Sequence, residues 1–188
     1  MQNKNDNFDP LKAFVASHFM FNVLSKLQAE ILKDNKKEAI NTLTIYSKLL
    51  RLTYKISENS IITLDEEKLF IENYLKLEQM RFEGFYLDFK IDGFNTKKRF
   101  IKPFSIQTFV EFAVLSGIGH PTLLIEIIFD ENEKSISINS EIENYQISDK
   151  ITEKCKIAEQ RLIANKYRYE IKQSETRYLQ KIYLNNEK

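Results

Sequence analysis

The chain has 188 residues, with 28 Lys and Arg against 27 Asp and Glu and a formal charge of +1. That balance excludes the broad basic field on which phosphate-tracking nucleic-acid binders rely, and no run approaches the ~20 apolar residues needed to cross a bilayer. With 43% apolar residues the chain is expected to fold around its own core, and a single Cys155 with only His18 and His120 excludes an internal disulfide and a closed zinc site.

The polar start MQNKNDNFDP lacks the order of a secretory signal, so a cytoplasmic location without membrane insertion is expected. Asp9 and Pro10 read as an N-cap followed by proline at the first helical position, opening a helix over residues 9–33. Phe14, Phe21, Leu24 and Ile31, flanked by Met20 and Leu27, form the seam of a helix that packs on other helices. Residues 34–37 are a polar turn, and a second helix is predicted over residues 38–55 with Ala39, Leu43, Tyr46, Leu50 and Thr53 on one face. Two such helices make an antiparallel hairpin, which is expected to pair with a second copy into a four-helix bundle because one hairpin alone cannot cover its seam.

After a polar linker at residues 57–60 the pattern changes. A strand is predicted at residues 61–64, then a helix to about residue 82 whose first turn carries Asp65, Glu66 and Glu67, acids that suit its dipole. Alternation predicts a strand over 86–91, Pro103 precedes a helix over 104–115, and residues 123–129 and 135–139 read as a hairpin around the turn at 130–133. A third helix over 150–165 and two closing strands complete an α+β, two-layer α/β sandwich, so two units are expected, 1–57 and 58–188. Four glycines and three prolines are few for loops that must bring backbone against phosphate.

Ser17-His18-Phe19-Met20-Phe21-Asn22 resembles the Pro-His-Phe-Leu-Phe-Asn motif of the LytS-type sensor histidine kinases, whose helical hairpin carries the phosphorylated histidine. The likeness continues in order through Leu49-Leu50-Arg51, the run from Tyr74 to Phe82 and the run from Pro103 to Gly117, covering residues 11–184. The resemblance implies a dimeric hairpin with His18 as phospho-acceptor and Asn22 one turn away, followed by a Bergerat-type, ATPase-like sandwich. It also implies a response regulator receiver domain as partner, with a sensor kinase as a further one.

Three features depart from the family pattern. Where the family has Glu-Asn-Ala, with an Asn that holds the magnesium bridging the ATP phosphates, this chain has Glu111-Phe112-Ala113, and a phenyl ring offers magnesium no oxygen. The phosphate lid, aligned on Arg161-Leu162, has Thr152, Lys154, Cys155 and Ile157 where the family has its glycines and neighbouring residues. The adenine loop matches Asn139-Ser140-Glu141, which contains no glycine. The sequence therefore predicts a degenerate histidine kinase without metal, cofactor or productive ATP binding, acting as a histidine phosphotransferase through His18. A non-catalytic pseudokinase that holds or inhibits a partner is the alternative; an active kinase would have to tolerate all three changes. His120 is assigned no role, Cys155 is read as a packing residue, Glu111 as a relict base or a solvated helix acid, and Tyr74, Leu77 and Phe82 are assigned to the core.

Overall fold

The computed structural model describes residues 18–81, 86–93, 99–118, 120–142, 156, 159–160, 162–163, 165–174 and 176–184. Helices α1 (His18–Leu32) and α2 (Lys36–Ser57) form the expected hairpin, and their turn is specified locally. Asp34 adopts a left-handed φ of 55°, the Asn35 N–H reaches the Glu30 carbonyl at 2.9 Å, and the Asp34 N–H reaches the Ile31 carbonyl at 3.1 Å. This pattern satisfies carbonyls that a helix end otherwise leaves unpaired.

The hairpin has two apolar faces. Phe19, Met20 and Val23 of α1, with Tyr46, Leu49, Thr53 and Ile56 of α2, are buried in a core continuous with the rest of the molecule. Of the seam expected on α1, Met20 is buried, Phe21, Leu24 and Ile31 are 66%, 45% and 61% exposed on the outer face of the hairpin, and Phe14 lies outside the described residues. On α2, Ala39, Tyr46 and Thr53 are buried as expected, whereas Leu43 is exposed and Leu50 half-buried, their inward places being taken by Thr42, Leu49 and Ile56. The expected stripe straddled both faces because α2 is apolar enough on each side for either to pass as the core side.

A short strand β1 (Ile62–Thr63) leads into helix α3 (Leu64–Arg81). The Thr63 hydroxyl accepts the Glu66 N–H at 3.2 Å, and the Glu66 carboxylate accepts the Thr63 N–H at 3.0 Å, a reciprocal cap that sets where the helix begins. Helix α3 is central, with α2 on one side and helix α4 (Gln107–Gly117) on the other, so Leu64, Phe70, Ile71, Tyr74, Leu75 and Leu77 are all buried. The expected core residue Phe82 lies outside the described residues.

The second layer is a five-stranded mixed sheet of β2 (Tyr86–Asp92), β4 (Thr122–Asp130), β5 (Ser135–Ile142), β6 (Arg168–Gln173) and β7 (Arg177–Tyr183), in the order β2-β4-β5-β7-β6. Strands β2 and β4 are parallel and joined through α4; the other pairs are antiparallel. Leu123, Ile125, Ile127 and Phe129 alternate inward along β4 and meet Ile136 and Ile138 of β5 and Tyr178 and Ile182 of β7 in the core. The short strand β3 (Phe100–Ile101), which pairs antiparallel with β1, has no counterpart among the predicted elements; two residues are too few to show alternation. Of the helix expected over 150–165, the described residues 156, 159–160 and 162–163 are helical, and Asn165 already lies in a turn.

Candidate functional site

His18 opens α1 among the described residues, and its side chain lies outside them. Asn22 follows one turn later and is half-buried. Between them Phe19 is turned into the core, its ring centroid 4.9 Å from that of Tyr74 on α3.

Tyr74 belongs to a buried polar cluster whose members Tyr74, Glu78 and Arg81 fall in the run from Tyr74 to Phe82 that carries the family likeness, which assigned them no polar role. Its side chain lies beside Glu78, which accepts the Arg81 Nε–H at 2.7 Å and lies 2.6 Å from Arg81 Nη2. Glu78 is only 2% exposed, and burial lifts its carboxyl above the ordinary range against the opposing pull of Arg81 and Tyr74. Burial, followed by the nearby Glu78 and Glu111 charges, pushes the Tyr74 phenol well above its usual value. From α4, Gln107 Nε2 donates to the Glu111 carboxylate at 3.0 Å, so Glu111 is tied to its own helix beside this cluster. The signal in the sequence was the spacing of Glu67, Ile71, Tyr74, Glu78 and Arg81 along one stripe of α3, where carboxylates interrupt an apolar face.

Helix α4 is anchored by a second buried carboxylate. Glu67 accepts the backbone N–H groups of Phe104 and Ile106 at 3.0 Å and of Gln107 at 3.3 Å, so a side chain of α3 closes the N-terminus of α4. The turn before α4 requires this support, since Phe104 has a φ of 60°, unfavourable for a side chain with a Cβ. The helix consequently starts at Gln107, three residues later than the pattern suggests. Complete burial pushes Glu67 up to about 7, opposed by the three amide hydrogen bonds that favour its anion.

Phe112, at the position matching the family's magnesium ligand, is 1% exposed, and its ring packs on Tyr178 of β7 at 4.8 Å with the planes inclined by 41°. The residues here do not fit a magnesium ion: an aromatic pair fills the space and supplies no hard oxygen. Asn139-Ser140-Glu141 is not a loop but part of β5, with Ser140 buried and its hydroxyl donating to the Tyr178 carbonyl at 3.3 Å. The expectation of an adenine loop here is corrected: the strand ladder to β4 and β7 continues through all three residues. Thr152, Lys154, Cys155 and Ile157 of the lid lie outside the described residues. On the opposite, outer face of the sheet, a hollow of about 500 Å³ is lined by Lys90, Glu126, Glu141 and Arg177, which pair as Lys90 with Glu126 at 3.9 Å and Arg177 with Glu141 at 3.2 Å. His120 is half-buried at the turn before β4, and its N–H donates to the Gly117 carbonyl at 3.1 Å. Among the described residues no group of three or more His, Cys, Asp or Glu side chains is arranged to hold a metal, and no helix is long and apolar enough to cross a membrane.

Comparison with known proteins agrees with this architecture. Residues 7–85 match the histidine kinase family. The chain is 35% identical over 118 residues to the sensor protein LytS of Staphylococcus haemolyticus, a match covering 62% of this chain and 20% of that protein. It is 32% identical over 148 residues to LytS of Staphylococcus saprophyticus, covering 75% and 25%. The chain therefore spans a quarter or less of the length of these relatives. Among solved structures a bacterial phosphotransferase shares the fold with a TM-score of 0.56 at 9% identity, covering 97% of this chain and 98% of that one. By the ordered motifs, the sequence matches and the helical hairpin followed by a mixed sheet, the chain belongs to the LytS-type histidine kinase family.

Proposed function

We propose that this histidine kinase-like signalling protein acts as a histidine phosphotransferase, with His18 as the phospho-acceptor toward an aspartyl-phosphorylated receiver domain. Residues 1–57 would form the phosphotransfer and dimerisation unit, and residues 58–188 a degenerate ATPase-like sandwich. The observation that carries this reading is the burial of Phe112 against Tyr178 where a magnesium ligand would be needed.

The chemistry requires neither nucleotide nor resident metal in this chain. A neutral imidazole nitrogen attacks the phosphorus of the aspartyl phosphate in line. The N–P bond forms as the acyl O–P bond breaks, the aspartate leaves as carboxylate, and the ring carries the positive charge until its remaining N–H proton passes to solvent. The magnesium that screens the phosphoryl oxygens comes with the receiver. Asn22, one turn beyond His18, is positioned along the helix to orient the ring or the incoming group.

Dimerisation is supported by the outer hairpin face, where Phe21, Leu24, Ile31, Ile40, Leu43 and Tyr54 are all exposed. Exposed apolar side chains contiguous along two paired helices are the surface that a second hairpin would cover. The same face supports the alternative reading, a scaffold that captures the hairpin of a partner sensor kinase.

The deciding experiment incubates the chain with a receiver domain charged on aspartate by radiolabelled acetyl phosphate. Acid-labile label on the wild type and none on His18→Ala is the expected result. A wild type that stays unlabelled by every receiver supplied favours the scaffold, and micromolar, magnesium-dependent ATP binding would contradict the reading of Phe112.

A further inference from the structure

The phosphotransferase reading leaves open what the sandwich contributes once it is not asked to bind ATP. We infer that Tyr74 is a positioning residue, holding the first turns of α1 against the sandwich so that residue 18 is presented at a fixed rotation about the helix axis. This rests on His18 being the phospho-acceptor.

The argument begins with covalent geometry. His18 and Phe19 are consecutive on one helix, so fixing the Phe19 ring in a socket fixes the rotation of the turn that contains both. The socket is Tyr74, 4.9 Å away between ring centroids, with Met20 and Val23 buried along the same arc. Phe21 and Leu24 lie on the opposite, exposed arc. Turning α1 by one residue so that Phe21 takes the buried place of Met20 would withdraw Phe19 from Tyr74, moving the outer face and residue 18 together.

Tyr74 is itself clamped. It is buried beside Glu78, which Arg81 holds at 2.6 and 2.7 Å, with the Glu111 carboxylate of α4 close enough to act on both Tyr74 and Glu78. The contact is between two rings, so an aromatic side chain at position 74 is what the Phe19 socket requires.

The test uses the full chain with Tyr74→Leu, which removes the ring, Phe19→Leu, which removes its partner, and Tyr74→Phe, which keeps the ring. Backbone amide exchange at residues 20–24 is followed in each, and phosphoryl transfer is measured from a receiver charged with radiolabelled acetyl phosphate. Both leucine variants are expected to speed exchange at residues 20–24 by roughly tenfold while β4 and β5 keep their protection. They are also expected to lower the transfer rate at saturating receiver by roughly tenfold with KM nearly unchanged, and Tyr74→Phe to restore most of that rate. Unchanged exchange in α1, acceleration spread equally over β4 and β5, or an increase in KM with an undiminished rate would overturn the assignment. If the wild type never takes label, the phosphotransferase reading fails, and the exchange data alone decide whether Tyr74 clamps α1.

Discussion

Phe112 of α4 rests on Tyr178 of β7, with ring centroids 4.8 Å apart, so this helix is joined to the sheet by an aromatic pair. Both residues are buried, at 1% and 4% exposure. Truncation by Phe112→Ala should therefore leave a cavity and cost about 3–5 kcal/mol of stability, measured by urea unfolding. Phe112→Asn should lose similar packing and gain no magnesium-dependent ATP affinity by titration calorimetry, because an isolated oxygen does not rebuild an octahedral site.

Glu67 makes stability depend on pH in a defined direction. Its folded pKa is raised, to about 7, above the unfolded value, so the folded state binds the proton more tightly. The associated stability is fully present below the unfolded pKa, near 4.5, and is lost as pH rises through about 7. Chemical denaturation between these limits should show stability falling by up to a few kcal/mol with increasing pH. Glu67→Gln should flatten that slope, and Glu67→Leu, which leaves the Phe104, Ile106 and Gln107 amides without their acceptor, should cost about 2–5 kcal/mol throughout.

The outer face of the hairpin should control assembly. Leu24 and Leu43 are 45% and 48% exposed, so Leu24→Glu combined with Leu43→Glu should be tolerated by the isolated fold. Sedimentation velocity over a range of concentrations should show the wild type as a dimer and the double variant as a monomer with unchanged helical circular dichroism. A wild type that remains monomeric at the highest concentration would remove the four-helix reading.

Gln180 is 1% exposed on β7, and neither its amide oxygen nor its amide nitrogen has a hydrogen-bond partner among the described residues. It lies opposite Ile138 and Ile171 in the sheet. Gln180→Leu should raise stability by about 1–2 kcal/mol, read as a higher denaturation midpoint, because it removes a buried amide that desolvation penalises.

Much of this molecule was legible in its sequence because the determinants are local. The turn between α1 and α2, the start of α3 at the Thr63 and Glu66 cap, and the β4–β5 hairpin depend on residues within a few positions of one another. Alternation along β4 announced its buried row, and the ordered motifs announced the family. The anchoring of α4 was not legible in the same way: Glu67 reads as an acid favouring its own helix dipole, and only the packing of α3 on α4 brings it to amides 37 to 40 residues away. Asn139-Ser140-Glu141 was matched to a loop through the family likeness, whereas it forms the end of β5, still paired to β4 and β7.

The amino-acid order by itself determined the central span of each described helix and the inward alternation of β4, since these follow from side-chain identity and periodicity. Tertiary structure decided which face of the hairpin is inward, where the buried carboxylates act and that Phe19 meets Tyr74. Those outcomes depend on which surfaces remain unburied after distant segments pack together, and a one-dimensional pattern cannot rank two comparably apolar faces.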